Sequence, residues 1–345
     1  MNKVGKIVVL LVVVAVVVCA VVAAEYFAAP KMGQEKKVIR LAVEFTDHAS
    51  CAFIAKRKGL FEAGGLNVTT FECYVTGPAL AAALARGDID AAYICLIPAI
   101  SAYANAGTPI KVVAGVHKYG YALVVNESRV KTVKDLEDLG VRIACPNKGS
   151  PPDVLLHKVC EQHQLDEGRV FGKVQYMNPP KALIALQTGS VDAAFLPEQY
   201  PTMAEGLGFK VLLTAQEVWP EMQGSVLVVK ETLIKDHPEV VERLVKATCR
   251  GNQFIYDNPA DAAKVVAEEL QALRGQVLPS DVAGITSKLD VTPEVISKSL
   301  ASRVICSNDV NASIVQDTID YMAKLGYIKW FNAEEILDLS FLKGS

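Results

Sequence analysis

Two short polar loops, Thr76-Gly77 and Asn147-Lys148-Gly149-Ser150, each stand just before the start of an expected helix. Free backbone N–H groups and the positive end of the helix dipole make such a place receptive to an anion. Gly77 and Gly149 would let the backbone approach a ligand closely. Ordinary capping by Thr76 and Ser150 is the competing explanation. Lys148 could add a positive charge, although loop lysines are usually solvated, and Asn178 precedes a further helix start. Thr46, Asp47 and His48 share a loop after an apolar run, and His117 follows another. A histidine there could donate to an anion or titrate near neutral pH, though a lone histidine is more often structural. Tyr119 and Tyr200 could stack on a ligand or pack internally. Glu198 argues the other way, since a carboxylate favours a cation, an amine or an amide N–H. Helix starts together with Glu198 fit a zwitterion; Glu198 with the tyrosines fits a pyrimidine.

Cys51, Cys73, Cys95 and Cys145 lie at or just past the ends of expected strands. Thiolates there could hold a soft metal or a sulfur-containing ligand. Cysteine is also small, apolar and commonly buried at such places. Cys95 is kept as a ligand-contact candidate, no metal site is assigned, and no cofactor is expected. The chain shows no Ser-His-Asp order, no H-E-x-x-H, no phosphate loop and no paired carboxylates in these loops. No catalytic residue is therefore assigned, and the chain is not expected to be an enzyme.

The elements that must hold these residues come from a stretch that occurs twice, over 78–92 and 180–194. At a shift of 102 residues Pro78, Ala83, Leu84, Gly87, Asp90, Ala91 and Ala92 fall on Pro180, Ala185, Leu186, Gly189, Asp192, Ala193 and Ala194. Each copy reads as a proline-started helix, a glycine stop and an apolar strand. A spacing of this size implies two similar α/β lobes rather than a solenoid. Strands are expected over 38–45, 67–74, 90–95, 110–116, 121–125, 141–145, 170–176, 210–213 and 225–229, with helices between. That alternation implies mainly parallel sheets flanked by helices, with ligands beyond the carboxyl ends of the strands. After Lys230 the pattern turns helical and carries no constellation with catalytic spacing.

A length of 345 residues with a net charge of −3 suits one two-lobed unit, and no basic block points to nucleic acid. Lys3 and Lys6 precede an uncharged stretch over 7–24. Residues 1–6 read as a cytoplasmic flank, 7–24 as a membrane anchor or signal segment, and 25–37 as a tether. The main domain is then expected outside the cytoplasm. Seven of the eight cysteines lie beyond that stretch, an odd number with no C-x-x-C spacing, so no pairing can be read.

From residue 38 onward the chain resembles the substrate-binding proteins of ABC importers, in the branch that binds nitrate, sulfonates, taurine and thiamine precursors. The resemblance is carried by Ile54-Ala-Lys-Arg-Lys-Gly-Leu-Phe-Glu-Ala-Gly-Gly-Leu-Asn-Val68, by Leu84-Ala-Arg-Gly-Asp-Ile-Asp-Ala91, and by Thr132-Val-Lys-Asp-Leu136 before Val141-Arg-Ile-Ala144. Ala185-Leu-Gln-Thr-Gly-Ser-Val-Asp-Ala193, Asn258-Pro-Ala-Asp-Ala-Ala263 and Asp338-Leu-Ser-Phe-Leu342 add to it. It implies a two-lobed periplasmic-binding-protein-like fold of type II, with lobe one over 38–117 and 228–345 and lobe two over 118–227. It also implies lobe closure over a small solute, with permease and ATPase subunits as partners. Members of this branch often carry Trp-Glu-Pro after the second repeat strand; here the residues are Leu196-Pro197-Glu198-Gln199-Tyr200, which leaves the ligand open.

Overall fold

The computed structural model describes residues 37–277 and 290–344. The stretch over 7–24 and nearly all of the tether lie outside them. Among the described residues no helix is long and apolar enough to cross a membrane.

The first sheet uses β1 (Val38–Glu44), β2 (Asn67–Tyr74), β3 (Ala91–Cys95) and β4 (Ile110–Gly115). After β5 (His117–Tyr119) the chain builds a second sheet from β6 (Tyr121–Val125), β7 (Ile143–Cys145), β8 (Val174–Tyr176), β9 (Ala193–Pro197) and β10 (Lys210–Thr214). It then returns as β11 (Ser225–Lys230) to the first sheet, and β12 (Val304–Cys306) pairs with β5. The orders are β2-β1-β3-β11-β4 and β10-β6-β9-β7-β8. Helices of seven residues or more are numbered α1 (Ser50–Arg57), α2 (Gly77–Arg86), α3 (Leu96–Ala106), α4 (Pro151–Gln162), α5 (Pro179–Gln187) and α6 (Tyr200–Gly206). They continue as α7 (Pro238–Asp257), α8 (Pro259–Val277), α9 (Pro293–Ser302) and α10 (Ala312–Lys324).

Strands β3, β6 and β9 are buried along their whole length, as expected for strands covered on both faces. Each sheet is mainly parallel, as expected, with one strand reversed. In the first, β2-β1 and β1-β3 are parallel while β11 runs antiparallel to both β3 and β4. In the second, β7-β8 and β7-β9 are parallel while β6 runs antiparallel to β9 and β10. The antiparallel strand in each sheet is the one that enters just after the chain has crossed over. A crossing strand arrives without a preceding covering helix on its own sheet, so no βαβ handedness constrains it to run parallel.

The sequence repeat is a structural repeat. Arg40 donates its backbone N–H and guanidinium to Asp90, at 3.0, 3.1 and 2.7 Å. Arg142 does the same to Asp192, at 2.9, 3.0 and 3.1 Å. In register, Leu41 faces Ala91 and Ile143 faces Ala193, again 102 residues apart. The recurring Asp is therefore a clamp that fixes the first strand of each lobe beside its repeat strand. Burial alone pushes Asp192 and Asp90 up. The arginine hydrogen bonds outweigh it and hold both below the ordinary carboxylate range.

Some elements differ from expectation. The strand expected over 170–176 is a short helix, Glu167–Phe171, followed by β8. Asp166 caps that helix by accepting from the Arg169 N–H, and Gly172 ends it. The last long helix, Ala312–Lys324, is capped by Asn311, which accepts from the Ser313 N–H.

Candidate functional site

The carboxyl ends of β1, β3, β7 and β9 meet, and a cavity of about 30 Å³ lies between the sheets. The first sheet contributes Glu44, Thr46, Thr76, Gly77 and Cys95; the second contributes Tyr121, Asn147, Ser150 and Pro197. Pairing explains the placement: Ser225 stands opposite Cys95 and Tyr121 opposite Pro197, so the two crossing strands bring their first residues to the same edge. That volume holds a water or an ion and little more. An organic solute would need the lobes to part.

Cys95 is the hub. Its backbone N–H donates to Glu44 Oε1 at 2.8 Å and its thiol to Glu44 Oε2 at 3.1 Å. Tyr121 Oη donates to Cys95 Sγ at 2.8 Å, Ser225 Oγ lies 3.5 Å from it, and His48 Nδ1 lies 3.6 Å from it. Glu44 is 6% exposed and no basic side chain is paired with it among the described residues. Burial pushes its carboxyl above the usual range, against the lowering effect of the Cys95 hydrogen bonds. Burial likewise pushes the Cys95 thiol well up. Behind it the His48 and His117 rings pack with centroids 4.3 Å apart. Burial lowers His117 to about 4, and burial with the neighbouring His117 lowers His48 well below its ordinary value. Gly120, at φ +87°, makes room for this pair: a Cβ there would lie 2.6 Å from His48 Nε2.

Of the residues singled out by sequence, Thr46, Thr76, Gly77, Cys95, Asn147 and Ser150 line the cavity. The buried hydroxyls of Thr46 and Ser150 have no hydrogen-bond partner among the described residues. His48 and His117 sit behind the wall, and Asp47 donates its N–H to Gln199 Oε1 at 3.0 Å. Asp47 is pushed up to about 8 by burial and by the nearby Glu198 charge. Lys148 and Gly149 belong to a separate surface groove with Tyr327. Tyr119 is partly buried on β5, Asn178 caps α5 by accepting from the Lys181 N–H, and Tyr200 is buried at the start of α6.

Two sequence expectations change their physical meaning. The helix start after Ser150 offers fewer donors than expected, because α4 opens with Pro151 and Pro152, which have no N–H. The Gly149 N–H is already taken by Asp153 at 2.8 Å. Glu198, fully buried, accepts from Arg303 Nε at 2.5 Å and from Thr202 Oγ1 at 2.7 Å, and does not line the cavity. The carboxylate that does so is Glu44. It and Tyr121 are not among the residues the sequence points to. The only signal was a carboxylate closing the strand Val38-Ile-Arg-Leu-Ala-Val-Glu44. The four strand-end cysteines do not converge. Among the described residues the one group of three or more metal-ligand atoms within 4.8 Å takes only Cys95 of them, with Glu44 and His48. All seven described cysteines are free thiols.

Two sheets of this order, joined by two crossings and enclosing a cavity between their carboxyl ends, define a periplasmic-binding-protein-like protein of two lobes. The chain belongs to the NMT1-like family, whose model matches residues 32–270. The taurine-binding periplasmic protein of Escherichia coli (strain K12) is 26% identical over 301 residues, covering 85% of this chain and 89% of that protein. The alkanesulfonate-binding protein SsuA from Xanthomonas axonopodis pv. citri, bound to MOPS, superposes with a TM-score of 0.72 at 22% identity, over 89% of this chain and 99% of that one. The periplasmic nitrate-binding protein NrtA from Synechocystis PCC 6803 does so with a TM-score of 0.72 at 13% identity, over 90% and 88%.

Proposed function

We propose that this chain is the extracytoplasmic solute-binding component of an ABC importer, non-catalytic, with lobes divided near residues 117 and 228. It takes a small solute of the sulfonate, taurine and nitrate class, and a zwitterion best suits the cavity. The carrying observation is that two unpartnered buried hydroxyls, Thr46 from one lobe and Ser150 from the other, face one cavity floored by a carboxylate without a basic partner. An ammonium group would sit at Glu44, and an anionic group would accept from the hydroxyls and from Asn147. Among the described residues no Lys, Arg or His lines the cavity, which disfavours a bare anion such as nitrate. The taurine-binding relative supports the same class. The N-terminal stretch over 7–24 would hold the protein at the membrane or direct its export, and permease and ATPase subunits would receive the closed form.

The test is isothermal titration of the full-length protein in detergent with taurine, ethanesulfonate and nitrate. Taurine should bind most tightly, and Glu44→Gln should weaken taurine roughly tenfold or more while leaving ethanesulfonate nearly unchanged. Equal binding of taurine and ethanesulfonate, insensitive to Glu44→Gln, would remove the zwitterion assignment. No binding by any of the three would remove the solute class.

A further inference from the structure

We propose that Glu44, His48 and Cys95 form a binding site for a single Zn²⁺ ion at the floor of the cleft. One sulfur, one imidazole nitrogen and one carboxylate oxygen make a donor set that zinc accepts. All three residues are buried, and their ligand atoms lie within 4.8 Å of one another. Zinc bonds of about 2.3 Å to sulfur and about 2.0–2.1 Å to nitrogen and oxygen, at tetrahedral angles, require S···N and S···O separations of about 3.5–3.6 Å. The observed separations from Cys95 Sγ are 3.6 Å to His48 Nδ1 and 3.1 Å to Glu44 Oε2. The remaining separation, His48 to Glu44, lies within 4.8 Å and must close to about 3.3–3.4 Å by side-chain rotation to complete the geometry.

The surroundings favour the same occupant. His48 Nε2 lies 2.7 Å from the Gly120 carbonyl, which can only accept, so Nε2 carries the hydrogen and Nδ1 keeps its lone pair toward Cys95. That carbonyl is the outer partner that orients a metal-bound histidine. Tyr121 donates to the sulfur at 2.8 Å, which favours its thiolate form. Binding would release the Cys95 thiol proton to solvent. The doubly charged ion would then face one thiolate and one carboxylate, so the buried group carries no net charge. A cavity of about 30 Å³ accepts an ion without lobe opening. Glu44 and Cys95 both border it, leaving a fourth position open to water or to an anionic donor atom of a solute whose ammonium the ion would displace from Glu44. Only this last point rests on the solute-receptor reading.

The experiment uses the full-length protein in detergent, stripped by a chelator and titrated with Co²⁺, then with Zn²⁺ in competition. The expected result is one Co²⁺ per chain, with the visible bands of a four-coordinate ion and a thiolate-to-cobalt charge-transfer band, all displaced by Zn²⁺. Cys95→Ser should abolish the charge-transfer band and weaken Zn²⁺ at least about tenfold, Glu44→Gln should weaken Zn²⁺ by a similar factor, and Cys73→Ser should change neither band nor affinity. Should Cys95→Ser not fold, alkylation of Cys95 in the native protein decides, since bound Zn²⁺ should slow it at least about tenfold. Absence of Co²⁺ binding, a spectrum without the thiolate band, a band that survives in folded Cys95→Ser, or alkylation indifferent to Zn²⁺ would each overturn the site. A taurine response without metal binding removes the metal site and leaves the receptor reading. Metal binding without any solute response does the reverse.

Discussion

At repeat-equivalent positions the two lobes present different chemistry to the same cavity. Where the first lobe ends β1 with Glu44 and β3 with Cys95, the second has Pro146 after β7 and Pro197 at the end of β9, each 102 residues further on. The scaffold beneath is shared, down to the Arg40–Asp90 and Arg142–Asp192 clamps. At these equivalent positions one lobe thus supplies a carboxylate and a thiol, and the other two prolines that carry no donor. The buried carboxylates make the same contrast. Glu198, at the second lobe, is neutralised by Arg303; Glu44, at the first, hydrogen-bonds among the described residues only to Cys95. The repeated frame has its structural acid in both halves and its cavity-facing acid in one.

The largest test of that contrast is Arg303→Met. It strands the fully buried Glu198 without its cation, and unfolding free energy in a denaturant series should fall by about 3–5 kcal/mol. Adding Glu198→Gln should recover most of the loss. If Arg303→Met alone costs nothing, Glu198 is no more neutralised than Glu44 and the contrast fails.

A smaller effect tests the shared frame. Asp192→Asn and Asp90→Asn each remove charge-assisted hydrogen bonds to an arginine and should cost about 1–3 kcal/mol. Asp192 should cost more, being 4% exposed at the side chain against 16% for Asp90. Both carboxyls are held below their unfolded value, so their contribution is present above pH about 4 and is lost as pH falls through the folded values. Acid unfolding of the double variant should therefore be flatter below pH about 4 than that of the parent. Equal slopes would show that the clamps are not equivalent ionic devices.

The smallest effect is expected of Lys148→Ala. Its ammonium lies 5.8 Å from the Tyr327 ring centre, in a groove apart from the cavity. Stability should change by less than about 0.5 kcal/mol and taurine binding by less than twofold. A larger loss of binding would return a cation to the site.

The repeat, the two α/β lobes and the loops that meet between them were legible because they rest on local signals: proline starts, glycine stops and unbroken apolar strands. The antiparallel direction of β6 and β11 was not, since apolar runs such as Tyr121–Val125 read alike in either direction. The clamping role of Asp90 and Asp192 was visible only as a recurrence, because its partners lie 50 residues away. Thr46, Thr76, Gly77, Cys95, Asn147 and Ser150 stood out as polar or small residues beside helix starts and strand ends. Glu44 hid inside a strand. Glu198 looked available because Arg303, 105 residues on, cannot be matched to it from spacing.

Seven prolines border the cavity: Pro78, Pro98, Pro146, Pro151, Pro152, Pro179 and Pro197. A proline ring has almost no rotamer freedom to surrender on burial, unlike the long side chains that line many receptors. The wall is therefore stiff, and on the receptor reading proposed above closing over a solute would forfeit little disorder. Discrimination would then fall to rigid shape, and a ligand one methylene too long would meet a surface that cannot rearrange to admit it.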